Sequence, residues 1–242
     1  VKEIIFSSAI ADLVEKPTPS LVKIPKTYKE MASVYDKKNP YDTATVKKCM
    51  PFLDALTIGY TINTPVDYLF TLKEEVKENK KTISMKFNYS ESIPPKFEGL
   101  IGLSEHMSEQ VPKDLRSNYR TVDAVPKLIN PWKIKTPPGY SCIFTTPFNR
   151  NLPFKIIDGV VDTDTYDLRI NFPFYWTQSE SIEQTLLPKG TPLALVIPFE
   201  RENWKMKIKQ HNFEDEEKAN MRLGQHIIDK YKRIFWKKKS FR

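Results

Sequence analysis

Cysteine, glycine and histidine are all scarce in this chain of 242 residues, and each scarcity excludes a class of chemistry. Cys49 and Cys142 form no C-x-x-C pair or other metal-ligand spacing, and two cysteines are too few for a disulfide framework in a chain this size. That combination predicts a reducing, intracellular setting. Seven glycines leave little room for a phosphate-cradling loop, and neither a P-loop nor G-x-G-x-x-G is present. His106, His211 and His226 compose no H-E-x-x-H or H-x-D, and no G-x-S-x-G offers an activated serine. No apolar run approaches the roughly 20 residues that cross a bilayer. The expected location is the cytoplasm.

Proline, aromatic residues and positive charge are plentiful. Nineteen prolines rule out long helices through most of the chain and instead punctuate short strands. The formal charge is +8, yet residues 230–242, KYKRIFWKKKSFR, hold seven Lys or Arg and no acid, leaving 31 basic against 30 acidic residues elsewhere. Basicity is therefore expected in a C-terminal tail that contacts acidic surfaces, beside a nearly neutral body.

An irregular N-terminal wrap is expected over 1–45, a β-rich core over 46–200, and a C-terminal helix with the basic tail over 201–242, all forming one domain. In the core, TVKKCMPFLDAL reads as a short helix or a bend. GYTI, DYLFTL and TISMKFNY alternate like strands around a charged turn, EEVKENKK. One helical turn is expected around Ser104–Gln110. Strands return in PKLINPWKI, GYSCIFTTP, IIDGVV, YDLRINFPFYW and TPLALVIPF. Short strands at this spacing predict a mainly β fold, a compact barrel or sandwich. In FPFYW, Phe172, Phe174 and Trp176 share one face and Tyr175 the other, as core or as an aromatic platform. FEDEEKANMRLGQHIIDKYKRIFWKKK starts acidic and ends basic, as a helix dipole favours, with Met221, Ile227, Ile228, Tyr231, Ile234 and Phe235 on a face able to dock.

Two stretches share I-x-T-P-x-x-Y: Ile62 to Tyr68 and Ile134 to Tyr140. Each joins one strand to the next, either as a mark of two related β units or as ordinary turn chemistry. A third feature is the acidic run GVVDTDTYD at 159–167. It is either a solvated turn whose Asp and Thr cap their own backbone or a catalytic acidic turn.

Residues 136–199 resemble the dUTPase and dCTP deaminase superfamily through three motifs in order: P-P-G-Y before a strand, G-V-V-D leading to Tyr166, and Lys189-Gly190 before an apolar strand. The resemblance implies a β-clip scaffold and self-association. It also implies a nucleotide site with Asp162 as the water-activating carboxylate and with Tyr166, Asp164, Arg150 and Lys189 contacting ligand. Several features depart from the family pattern. Tyr166 lies one residue beyond the D-x-x-Y spacing, Phe148 and Asn149 replace an Arg-Ser phosphate contact with Arg150 displaced, and TPLAL follows Lys189-Gly190 where an Arg then a Gln is usual. The chain as a whole is similar to uncharacterised proteins of marine phages, through KKCMPFLDALTIGY and NPWKIKTPPGYS, which implies a host-cell or virion setting.

Two functions follow as expectations. One is a non-enzymatic binding or structural β protein on the hydrolase-like scaffold, with a protein partner or a second copy and no cofactor or metal. The alternative is a deoxynucleotide pyrophosphatase or deaminase-like enzyme. There Asp162 is the base, and Mg²⁺ is a cofactor that Asp158, Asp162, Asp164 and Asp167 are the carboxylates to hold.

Overall fold

The computed structural model describes all residues except 41–42, 78–79, 90–92, 113–114, 116–124, 178–183 and 224–229, and for 72–89, 108 and 222–223 it describes the backbone alone. The protein is mainly β. In chain order the strands are β1 (Ile5–Ser7), β2 (Thr18–Pro19), β3 (Tyr60–Asn63), β4 (Tyr68–Lys77), β5 (Lys80–Tyr89), β6 (Gly102–His106) and β7 (Val125–Ile129). They continue with β8 (Lys133–Lys135), β9 (Tyr140–Thr145), β10 (Phe154–Ile156), β11 (Gly159–Val161), β12 (Phe172–Trp176), β13 (Gln184–Leu187) and β14 (Pro192–Glu200). The helices are α1 (Lys26–Glu30), α2 (Met50–Thr57) and α3 (Phe213–Leu223).

By internal contacts the chain divides into two compact units: Val1–Thr18 with Gly59–Arg201, and Pro19–Ile58 with Glu202–Arg242. The first is the β unit. Its sheets run in the orders β11-β9-β14-β3-β2, β10-β12-β7-β6, β13-β4-β5 and β1-β8, with antiparallel pairing, and among the described residues none closes into a barrel.

Alternation builds the core. In β12, Phe172, Phe174 and Trp176 are buried on one face against Phe70, Phe144 and Phe154, with ring centroids 5.2–6.2 Å apart. Tyr175 is buried on the other face beside Val111 and Val125. Both faces of FPFYW are thus core. Pro173 is accommodated because its carbonyl still accepts the Ile157 N–H at 2.8 Å, while the strand ladder continues through Phe172↔Leu128 and Phe174↔Ile156.

Some elements differ from the sequence expectation. EEVK belongs to strand β4, whose ladder with β5 runs from Tyr68↔Tyr89 to Lys77↔Lys80, so the charged residues extend a hairpin rather than interrupt it. The helical turn expected around Ser104–Gln110 is present but shorter, a 3-10 turn at Ser108–Gln110 that follows strand β6 through His106. YDLRIN stays out of β12, because the Asn130 side chain holds the Ile170 carbonyl at 3.1 Å and Asn171 Oδ1 accepts the Asn130 N–H at 3.1 Å.

The second unit is helical and irregular. Pro51 occupies the first turn of α2, where a missing N–H costs nothing. Asn212 caps α3, its Oδ1 accepting the Glu214 N–H at 3.1 Å, and Glu214, Asp215 and Glu216 fill the first turn as the dipole favours. The expected docking face is not covered by described residues: Met221, Ile234 and Phe235 are exposed, and Ile227 and Ile228 lie outside the described residues. A π-helical turn at Tyr231–Phe235 follows, and Trp236 Nε1 then donates to both carboxylate oxygens of Asp54 at 3.0 and 3.1 Å. No helix among the described residues is long and apolar enough to cross a membrane.

Candidate functional site

The acidic run sits where three strands of the five-stranded sheet converge. β9 pairs with β11 through Val161↔Cys142 and with β14 through Glu200↔Tyr140, so the turn after β11, the turn before β9 and the end of β14 meet at one edge. Asp162 opens the acidic turn: its carbonyl accepts the N–H groups of Thr165 at 3.1 Å and Tyr166 at 2.8 Å. Thr163 points inward, where its hydroxyl lies 2.7 Å from that of Thr136 and donates to the Cys142 sulfur at 3.3 Å. Burial pushes the Cys142 thiol up to about 11, so it stays protonated and unreactive at neutral pH.

Arg201, the last residue of the β unit, ties the edge together. Its backbone N–H donates to the Gly139 carbonyl at 2.9 Å. Its guanidinium engages both oxygens of Asp164, donates to Ser141 Oγ at 3.0 Å and the Tyr140 carbonyl at 3.2 Å, and lies 3.3 Å from Asp162. Asp164 also accepts the Gly139 N–H at 2.8 Å, and its side chain is only 5% exposed. The Arg201 guanidinium, with help from that N–H, holds the Asp164 carboxyl well below the usual carboxylate range. Asp162 accepts from Ser141 at 2.6 Å, but 63% of its side chain remains open to solvent.

Beside this clamp lies an exposed cluster in which Tyr140 donates to Glu200 at 2.6 Å, while the Lys2 ammonium meets both the Tyr140 hydroxyl and Glu200. The other two carboxylates face elsewhere: Asp158 accepts from Thr145 at 2.6 Å, and Asp167 pairs with Lys133 at 3.7 Å. Asp162 and Asp164 face Arg201 and Asp167 faces Lys133, with a turn rather than extended chain between them. Asp162 and Asp164 thus share Arg201, whereas Asp158 and Asp167 have partners of their own. Among the described residues no group of three or more His, Cys, Asp or Glu side chains is arranged to hold a metal ion.

Of the residues singled out from sequence, Asp162, Asp164 and Tyr166 share this turn, with the Tyr166 side chain exposed. Lys189 belongs to a different turn, where its N–H donates to Asp67 at 2.5 Å. Arg150 follows Asn149, whose φ of 54° marks a tight loop, and partial burial holds its guanidinium below the ordinary value. Arg201, Ser141 and Gly139 were not identified from sequence. The family pattern directed attention to an Arg just after Lys189-Gly190; the Arg that meets the turn instead ends the following strand.

The I-x-T-P-x-x-Y echo has a structural counterpart. Thr64 N–H donates to the Thr191 carbonyl at 2.8 Å and its hydroxyl to the Pro188 carbonyl at 2.6 Å, while Asp67 takes the Lys189 N–H. Thr136 N–H donates to the Thr163 carbonyl at 3.3 Å and its hydroxyl to the Tyr140 carbonyl at 3.1 Å, while Gly139 N–H meets Asp164. Each threonine is buried and grips the backbone of a distant turn. Turn chemistry suffices to explain the repeated motif.

The clamp predicts an acid sensitivity with a defined sign. A carboxyl whose folded value is depressed contributes stability that is complete above the unfolded value of about 3.9 and is lost as pH falls through the folded value. Melting curves taken from neutral pH downward should therefore show this contribution shrinking below about pH 4. Arg201→Ala is expected to lower Tm by roughly 5 °C at neutral pH. It should also flatten the acid limb, and an unchanged acid limb in Arg201→Ala would contradict this origin.

No family model, curated protein or solved structure matches the chain.

Proposed function

We propose that this chain is a non-enzymatic binding or structural protein, in which the acidic turn closes a β scaffold of the nucleotide-hydrolase type and does no chemistry. The observation that carries this reading is the bidentate grip of Arg201 on a nearly buried Asp164, reinforced by Ser141 on Asp162. A catalytic base needs a lone pair facing substrate water and cationic partners left for phosphates. Here the guanidinium nearest the turn is committed to the chain itself. Self-association and a protein partner belong to the same proposal, as does a viral or host-cell setting, with the basic C-terminal tail at 230–242 contacting an acidic surface.

The alternative, a deoxynucleotide pyrophosphatase or deaminase-like enzyme, has one observation in its favour: the open side of Asp162. Asp162→Asn separates the two. As a turn residue it should cost about 1 kcal/mol, since the part-buried hydrogen bond from Ser141 and the solvent-exposed pairing with Arg201 weaken. Thermal shift with deoxynucleoside triphosphates, with and without Mg²⁺, and a phosphate-release assay should show no effect of nucleotide in either protein. A Mg²⁺-dependent rise in Tm accompanied by turnover, both lost in Asp162→Asn, would install the enzyme instead.

A further inference from the structure

The molecule's positive surplus belongs to one unit, and seven charges of that surplus lie in the 230–242 tail. The unit made of Pro19–Ile58 and Glu202–Arg242 holds 19 Lys and Arg against 10 Asp and Glu, a surplus of nine, whereas the β unit holds 19 against 20. A surplus of that size on about 80 residues is the electrostatic footprint of a surface that meets polyanions.

Within this unit, Trp204-Lys205-Met206-Lys207-Ile208-Lys209 runs without helix, strand, turn or bend. Trp204, Met206 and Ile208 are 87%, 83% and 84% exposed, and no hydrogen bond, ion pair or ring contact joins this segment to any described residue. Three large apolar side chains in full solvent, each followed by a lysine, are costly unless something covers them. In near-extended chain the alternation separates apolar groups from ammonium groups. A partner for it must offer closely spaced negative charge and flat apolar surface together.

The same unit contains a cavity of about 670 Å³, a volume that suits a nucleotide-sized group. Its wall includes Tyr28, Trp236 and four lysines, Lys47, Lys48, Lys232 and Lys238, with no carboxylate among the described lining residues. Trp236 lines the cavity and is oriented by the bonds from its Nε1 to Asp54. Lys47 is turned to the Tyr28 and Lys29 carbonyls at 2.8 and 2.6 Å, whereas Lys232 and Lys238 stand exposed.

We propose that the basic unit binds single-stranded nucleic acid. Phosphates lie on Lys205, Lys207 and Lys209, an unpaired base stacks on Trp204, and another enters the cavity beside Trp236. Unpaired bases supply the flat apolar faces that the exposed side chains require, whereas a duplex buries its own and offers them mainly phosphate. This rests on the binding-protein reading and names its ligand.

The test uses the full chain and fluorescence anisotropy of a labelled oligo-dT of about 20 nucleotides, titrated between about 50 and 200 mM salt. Binding should weaken steeply with salt. Replacing Lys205, Lys207 and Lys209 together with Gln should reduce the log–log salt slope by about 2, at roughly 0.7 per phosphate contact on a single strand. Trp204→Ala should weaken binding by roughly 5- to 100-fold and leave the slope unchanged. Both variants alter exposed side chains without described partners, so folding is not at stake. The proposal is overturned if oligo-dT does not bind, if the lysine variant keeps the full slope, or if a duplex of equal length binds better. It is also overturned if the protein sediments with phosphatidylserine vesicles and ignores oligo-dT, which would assign the surface to a membrane. Phosphate release remains a separate readout, so a failure here removes the ligand without making the acidic turn catalytic.

Discussion

Phe174→Ala is expected to cost about 3–5 kcal/mol and to lower Tm by roughly 10 °C, a large fraction of the roughly 5–15 kcal/mol that holds a folded protein together. Phe174 has no exposed surface and sits at the centre of the aromatic core. Its ring meets Phe70 at 6.2 Å and Phe154 at 6.0 Å, with interplanar angles of 78° and 76°, the edge-to-face arrangement that aromatic quadrupoles favour. Truncation removes those contacts and leaves a void between sheets, because β12 is pinned by its ladders to β10 and β7 and is held back from collapsing into it. Phe174→Leu refills most of the space and should cost only about 1–2 kcal/mol. Phe235→Ala, at an exposed position of the other unit, should change stability by no more than about 0.5 kcal/mol. Chemical denaturation of the three variants measures the ordering, and a Phe174→Ala protein as stable as Phe235→Ala would remove the aromatic cluster from the core.

That centrality was readable in FPFYW, because a period of two assigns Phe172, Phe174 and Trp176 to one face whatever the fold. The sequence did not reveal that Tyr175 would find a second core. Its partners Val111 and Val125 lie about fifty residues away or more, and only the pairing of β12 with β7 brings them near. The acidic turn shows the same boundary between local and distant information. Asp162 and Asp164 were visible as a turn, since Asp and Thr in that order favour one. Their partner was not, because Arg201 reaches Asp164 across 37 residues and Ser141 across 60, through the two ladders of β9. A motif search looks for an Arg at a fixed distance along the chain, whereas a sheet selects its Arg by register. Charge behaved likewise: the basic run at 230–242 was plain, but its addition to the lysines of 23–48 needed the division into units. Local patterns survive translation into structure when a short period carries them. Pairs set by sheet register do not.

Gly59→Ala is expected to damage the β unit on a similar scale, for a reason that involves backbone rather than packing. Gly59 adopts φ +68°, a conformation that costs an L-residue about 1–2 kcal/mol. A Cβ there would also lie 2.2 Å from the Val196 carbonyl oxygen and 3.1 Å from its carbon, both main-chain atoms of β14. Relief requires moving the strand, which adds about 1–3 kcal/mol, for roughly 2–5 kcal/mol in all. Two other glycines separate the contributions. Gly139 has φ +85° with open space where a Cβ would go, so Gly139→Ala should show the conformational cost alone, while Gly159→Ala, with neither problem, should be nearly silent. The consequence reaches the clamp, because Val196 pairs with both Tyr60 of β3 and Phe144 of β9, and the same strand ends at Arg201. If β14 shifts, the guanidinium leaves Asp164, and Gly59→Ala should lose the acid limb of the stability profile together with Tm. Gly139→Ala is expected to keep that limb. A Gly59→Ala protein that melts early yet retains the full acid limb would separate the strand from the clamp, and would place the origin of the acid sensitivity in another carboxylate.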